Sequence, residues 1–192
     1  MTRRLFGLFL IAVAGATIAG CGGSNDTASP ETPTAASAVP FDRAFIDAMV
    51  PHHESAIEMA KAATAAGLAQ PDLVQIAKDI VVTQQAEIDQ MRGWRQSWFG
   101  SSDIDPEGAA VLGLSEAEMG MQHEADFSGV TDVDQEFASM MIDHHRGAIR
   151  MAELAKARGQ HEEIKGLAES IIAAQRREIS VMEEHAGEMH HE

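Results

Sequence analysis

Apolar residues recur at every third or fourth position along several long stretches of the chain, which is the spacing of an amphipathic helix. The first apolar arc consists of Phe45, Met49, His52, His53, Ala56, Ile57, Met59 and Ala60. A second arc follows it and consists of Leu73, Ala77, Ile80, Val81, Gln84, Ile88, Met91 and Trp98. Gly67 and Pro71 mark the boundary between these two predicted helices. The pattern contains no sign of β-strands.

The same pattern returns in the second half of the chain. Residues 45–60 reappear as residues 137–152, at an offset of 92, and eight of the sixteen positions are identical. At an offset of 91, a second block matches Ile80, Val81, Gln84, Glu87, Ile88 and Met91 with Ile171, Ile172, Gln175, Glu178, Ile179 and Met182. A second pair of helices is predicted over about residues 131–158 and 162–186, with Gly159 between them. The pattern therefore predicts a duplicated helical hairpin.

Residues 100–130 separate the two copies and are predicted to form a long crossover. Two antiparallel hairpins joined by one long connection are typical of a ferritin-like four-helix bundle. We therefore predict an all-α domain over residues 41–192, with repeats at 41–99 and 131–189. The copies differ at Pro51 against Asp143, Glu54 against Arg146 and Ser55 against Gly147. Pro51 is expected to kink the first helix, because proline removes a backbone donor and crowds the preceding turn.

The N-terminus predicts export and lipid attachment. Two arginines precede the apolar run Leu5–Ala19, which is too short to span a membrane, and small residues lead up to Cys21. This is the pattern of a lipoprotein signal peptide over residues 1–20, with diacylglycerol and palmitate attached to Cys21. Residues 21–40 are rich in Gly, Ser, Thr, Ala and Pro and are predicted to be a flexible tether. The protein is thus expected at the outer face of the cell membrane, in the cell envelope.

The chain is strongly acidic, and this narrows its partners. Its formal net charge is −16, and loss of the two N-terminal arginines would make it −18. Such acidity argues against nucleic acid and anionic lipid surfaces and favours cations. Cys21 is the only cysteine, so neither a disulfide framework nor thiol chemistry is expected. No nucleophile–base pair or phosphate-binding loop is present, and we expect a protein that is not an enzyme.

Two adjacent histidine pairs lie inside the apolar arcs of the first helix of each copy: His52 with His53, and His144 with His145. Because unpartnered polar groups are costly in a core, these rings need partners. Hairpin geometry brings side chains of the second helices to the same height, namely Gln84 and Glu87 in one copy and Gln175 and Glu178 in the other. The neighbouring thioethers are those of Met49, Met59, Met141 and Met151.

Two interpretations explain this layer. In the first it is only a hydrogen-bond network, with histidines donating to Glu87 and Glu178 and methionines filling space. In the second it binds a metal, and the same glutamates orient the imidazoles. Imidazole suits several metals and thioether selects Cu(I), so copper in either oxidation state is favoured, with zinc as the alternative. A metal-dependent oxidase is a third hypothesis and would need an open coordination position.

Other histidines and methionines form candidate sites outside this layer. A candidate accessory metal site at the C-terminus consists of Met182, His185 and Met189, followed by a tail with His190 and His191. In the crossover, Met119, Met121 and His123 have a spacing suited to Cu(I), although a covering role is favoured. Trp94 and Trp98 are predicted to pack one end of the bundle, and His161 only to open a helix.

The doubled motif Phe-x-x-x-Met-x-x-His-His-x-x-Ala-Ile-x-Met-Ala, each copy followed by Gln-x-x-Glu-Ile-x-x-Met, resembles the bacterial domain-of-unknown-function family numbered 305. The resemblance covers about Phe41 to Glu184. It implies an exported helical protein of ferritin-like fold, and some members are associated with copper binding and copper tolerance. It also implies that the four paired histidines are signature positions. The leading hypothesis is a membrane-tethered protein that sequesters copper or passes it on; the runner-up is a non-catalytic structural or interaction bundle.

Overall fold

Four long α-helices make up most of the chain that can be described. The computed structural model describes residues 39–122 and 125–187, and these contain no β-strand. The helices are α1 (Phe41–Ala66), α2 (Pro71–Phe99), α3 (Val133–Arg158) and α4 (Glu162–Met182). The crossover between α2 and α3 contains a short 3-10 helix, Gly108–Leu112. The predicted all-α fold, with two hairpins and a long crossover, is confirmed.

Most helix ends lie where the sequence predicts them. Gly67 adopts φ 107° after α1, a left-handed conformation that glycine tolerates, and Pro71 begins α2. The last helix ends at Met182, four residues earlier than predicted. The chain turns there, so that the Ala186 carbonyl accepts hydrogen bonds from Ser139 Oγ at 3.3 Å and Gln135 Nε2 at 3.4 Å. This tertiary contact overrides the helical periodicity.

The two hairpins pack in an up-down-down-up order. The start of α1 lies beside the end of α3, where the Arg158 guanidinium stands 4.4 Å from the centre of the Phe41 ring. The end of α2 lies at the start of α4, where Trp98 stacks on His161 with ring centres 3.8 Å apart. Helices α1 and α3 are therefore antiparallel, and so are α2 and α4. This is the arrangement of a ferritin-like four-helix bundle.

The tryptophans pack one end of the bundle, as predicted. Trp94 stacks on Trp98 with ring centres 5.4 Å apart, and Trp98 continues the stack onto His161. His161 has a larger role than the sequence suggested, since its Nδ1 also contacts the Asp42 carboxylate.

None of the described helices is long and apolar enough to cross a membrane. Helix α1 is continuous through Pro51.

Two aspartates related by the repeat join the copies, and sequence reasoning missed them. Asp42 on α1 accepts hydrogen bonds from the backbone N–H groups of Gln160 and His161, at the start of α4. Asp134 on α3 accepts from the N–H groups of Ala69 and Gln70, at the start of α2, at 2.8 and 3.0 Å. A carboxylate is favourable at the positive end of a helix dipole. The offset of 92 between the two aspartates was the available signal.

Candidate metal centre

The paired histidines meet in the middle of the bundle, at the contact between α1 and α3. The His52 and His144 rings face each other across this contact, with centres 3.7 Å apart. The ring centre of His53 lies 6.3 Å from that of His52. None of the four histidines is more than 1% exposed. The two sequence copies thus contribute to one buried centre.

The outer histidine of each pair is held by a glutamate from the second helix of its own hairpin. His53 Nε2 lies 2.8 Å from Glu87 Oε2, and His145 Nε2 lies 2.7 Å from Glu178 Oε2. The two rings are fully buried, whereas the Glu87 and Glu178 side chains are 23% and 20% exposed. Each hairpin therefore brings its histidine and glutamate to the same height, at the edge between core and solvent.

The hydrogen bonds identify which ring nitrogen keeps a lone pair. His52 Nε2 lies 2.8 Å from the Met119 carbonyl oxygen, which can only accept, so this nitrogen donates. In the neutral ring, Nδ1 then carries the lone pair. The glutamates impose the same tautomer on neutral His53 and His145. The Nδ1 atoms of His52, His53 and His145 are buried and form no hydrogen bond with any residue in the described part of the chain.

Burial keeps the central ring in the form that binds metals. Removal from solvent, with a smaller contribution from the charge of His53, lowers the pKa of His52 from 6.5 to about 3. The ring is therefore neutral throughout the physiological pH range. Protons do not compete for its lone pair, as they would for an exposed imidazole.

Soft and polar side chains complete the surroundings of the histidines. The four predicted thioethers, those of Met49, Met59, Met141 and Met151, are all at most 1% exposed. Met49 and Met141 precede the histidine pairs by one helical turn, so they share their face. Gln84 and Gln175 are 3% exposed, and their Oε1 atoms form no hydrogen bond with the residues that the structure describes. These two buried oxygen atoms are acceptors without a donor among those residues.

Nitrogen and carboxylate ligands alone are not gathered into a metal cage. Within residues 39–122 and 125–187, no group of three or more His, Cys, Asp or Glu side chains is placed to hold a metal ion. A metal bound in this layer would therefore draw on thioether sulfur or amide oxygen as well. Thioether is the donor that favours Cu(I) among common ions.

The crossover covers the centre from one side and explains an asymmetry between the repeats. The Met119 carbonyl reaches His52, and Gly120, with φ 72°, lies against the backbone of α3 at His144. A Cβ at Gly147 would overlap the Met119 carbonyl, whereas its counterpart Ser55 in α1 carries a side chain. Gly147 thus occurs where the single crossover touches the bundle.

We expect Gly147→Ala to displace the crossover and to lower the free energy of unfolding by about 1–3 kcal/mol, the usual cost of overpacking. Chemical denaturation measures this difference. Gly166→Ala is the matched control, since a Cβ there meets nothing within 4 Å in α4. It should instead be stabilising by about 0.5–1 kcal/mol. Equal effects of the two substitutions would contradict a close packing of the crossover at Gly147.

The accessory residues are only partly described. Met182 is fully buried, and His185 Nε2 lies 2.8 Å from Asp72 Oδ2, a hydrogen bond that lowers the pKa of that carboxyl. The predictions for Cys21, His123, Met189, His190 and His191 lie outside the described residues.

Solved structures resemble this bundle over most of its length. CopM in its Cu(II)-bound form is 32% identical, with a TM-score of 0.65 over 76% of this chain and 95% of that one. CopM in its Cu(I)-bound form is 33% identical, with a TM-score of 0.62 over 74% and 93%. A DUF305 protein from Streptomyces coelicolor is 26% identical, with a TM-score of 0.65 over 76% and 91%.

No curated protein sequence matches the chain. A protein-family model does match it, and this match agrees with the similar structures. The model of the domain of unknown function DUF305 matches residues 15–95 and 42–186, most of the described bundle, and two of the similar structures bear the same family name. The resemblance carried by the doubled His-His motif is thereby confirmed, and the chain belongs to the DUF305 family.

Proposed function

We propose that this protein binds copper in the histidine–methionine layer at the centre of its bundle. The observation that carries the proposal is the set of three buried imidazole Nδ1 atoms without hydrogen-bond partners among the described residues. Each of these rings uses Nε2 to contact a carbonyl or a carboxylate. Histidine ligands of metals commonly have this arrangement, in which an outer partner fixes the tautomer and leaves the opposite nitrogen to the ion.

The donor set favours copper over other ions. Imidazoles would supply nitrogen ligands, Met49 and Met141 one helical turn away would supply soft sulfur, and Glu87 and Glu178 would keep the outer imidazoles oriented. Cu(I) accepts this mixture, while zinc prefers sets built from Cys, His and carboxylates. Related CopM proteins, about one third identical, have been solved with Cu(I), Cu(II) and silver. Support also comes from the net charge of −16, which attracts cations.

A purely structural hydrogen-bond layer is the competing function. It accounts for the contacts of His53 with Glu87 and of His145 with Glu178. Among the residues that the structure describes, it leaves three ring nitrogens and two glutamine oxygens buried without partners, at a cost of about 1–3 kcal/mol for each unsatisfied group. A bound soft cation would remove part of that cost. We therefore propose binding and handling of the ion, without catalysis.

Titration of the purified chain with Cu(I), Cu(II) and Zn(II) tests the proposal. At a free-ion concentration a hundred times the dissociation constant, a ligand that binds only the folded state raises its stability by about 2.7 kcal/mol. We expect this gain in thermal unfolding for copper and a smaller one for zinc, with no oxygen consumption on addition of Cu(I). Unchanged unfolding in the presence of copper would overturn the proposal in favour of the structural layer.

We also propose that the protein is exported and anchored through a lipid on Cys21 at the outer face of the cell membrane. Support comes only from the sequence of residues 1–21. In that position the bundle would sequester copper, or transfer it, in the cell envelope. Labelling of cells with radioactive palmitate checks the anchor: label should enter the parent protein and not the Cys21→Ser variant.

A further inference from the structure

A groove between α2 and α4 leads from solvent towards the histidine layer. These two helices touch much less than the helices within each hairpin. Between them lies a cavity of about 610 Å³. Part of its lining comes from the short side chains of Thr83, Ser170, Ala173 and Ala174. The cavity exists because these side chains do not fill the space between the two helices.

Two glutamines and two glutamates line the groove. Gln84 and Gln175 line it, and their buried Oε1 atoms have no hydrogen-bond partner in the described part of the chain. Glu87 and Glu178 line it as well, and each contacts a buried imidazole. A cation in the groove would thus lie on the Nε2 side of His53 and His145, beside the carboxylates that contact these rings.

The charge of the groove suits a cation. Its carboxylates are those of Asp79, Glu87 and Glu178, and its one basic group is the Arg177 guanidinium. This excess of negative charge, together with the two uncharged amide oxygens, attracts positive ions and offers them oxygen atoms in place of water.

The opposite side of the centre is covered. The crossover lies against α3 at His144, and its Met119 carbonyl accepts a hydrogen bond from His52 Nε2. The two faces of the histidine layer therefore differ: a backbone segment packs on one, while a polar groove opens on the other.

We propose that the groove between α2 and α4 is the route by which copper enters and leaves the histidine layer. This inference rests on the proposed function. Gln84 and Gln175 act as intermediate oxygen donors between solvent and the imidazoles. Glu87 and Glu178, at the edge of the groove, attract the ion and then resume their hydrogen bonds to the histidines.

Filling the groove without touching the histidines tests this route. We choose Thr83→Phe and Ala174→Phe, one on each wall, with Ala86→Phe as the matched control, since Ala86 is an exposed residue of α2 that does not line the cavity. The full chain is loaded with Cu(I), and transfer to a chromophoric chelator is followed by absorbance in stopped flow. Equilibrium affinity is measured separately by competition with the same chelator.

We expect each groove variant to slow uptake and release of Cu(I) by at least about tenfold, with an affinity within about twofold of the parent. The control should have parental rates. Parental rates in both groove variants, with copper bound, would overturn the route and leave the proposed function intact. Absence of binding by the parent chain itself would overturn both. Thermal unfolding of each variant verifies its fold, and the two walls provide independent substitutions.

Discussion

Replacing His53 and His145 together by glutamine should abolish tight copper binding while leaving the bundle nearly as stable as before. The Gln side chain can place its Nε2 near the position of the histidine Nε2, so the hydrogen bonds to Glu87 and Glu178 are retained. The Nδ1 lone pairs are lost. We expect the affinity to fall by more than the roughly 10–100-fold typical of losing an outer partner, and stability to change by about 1 kcal/mol or less.

Competition with a chelator measures the copper affinity, and denaturant unfolding measures the stability. The double variant Glu87→Gln with Glu178→Gln is the control, since it keeps both imidazoles and weakens only the groups that orient them. Its copper affinity should fall by about 10–100-fold. If the histidine variant kept parental affinity, Nδ1 of these two residues would not be a copper ligand, and the site would have to be sought elsewhere in the chain.

Replacing Asp47 by alanine should destabilise the fold by about 3–5 kcal/mol, because it leaves a buried guanidinium without its counter-ion. Asp47 is fully buried and Arg95 is 3% exposed. The Asp47 carboxylate accepts two hydrogen bonds from Arg95, at 2.6 and 3.3 Å, and one from the Asp105 N–H at 3.2 Å. The pair therefore also positions the start of the crossover. Urea unfolding of the variant measures the loss.

The second repeat supplies the control for this experiment. The positions equivalent to Asp47 and Arg95 are Ser139 and Ala186, which are joined by a hydrogen bond from a hydroxyl to a carbonyl. The double variant Asp47→Ser with Arg95→Ala should therefore lose less stability than Asp47→Ala alone, since it buries no unpaired charge. If the double variant lost as much as the single one, the cost would not come from the orphaned charge of Arg95.

Repetition in the sequence was enough to predict the fold. The spacing of apolar residues determines four amphipathic helices, and the offsets of 91 and 92 pair them into two hairpins. Helix periodicity and hairpin length also placed the first histidine pair level with Gln84 and Glu87, and the second pair level with Gln175 and Glu178. These are local properties, because the rise and turn of a helix fix the relative positions of residues along it.

Tertiary structure decided what depends on contacts between the copies. The apposition of His52 and His144, the bond from His52 to the Met119 carbonyl and the groove between α2 and α4 each join segments far apart in sequence. No periodicity encodes which face of a bundle a crossover covers. The crossover breaks the symmetry of the duplication, and so the sequence differences at Gly147 and its neighbours could be noted but not interpreted.

The sequence alone determined the all-helical class, the duplication and the identity of the histidine, methionine and glutamate side chains in the core layer. Only the three-dimensional structure decided which nitrogen of His52, His53 and His145 keeps its lone pair, because that depends on the acceptor that the other nitrogen meets. It also decided that Asp42 and Asp134 join the two copies, since the backbone groups that they contact belong to the opposite hairpin. The spacing of apolar residues determines each helix by itself, whereas tertiary packing determines which residues of other segments its side chains contact.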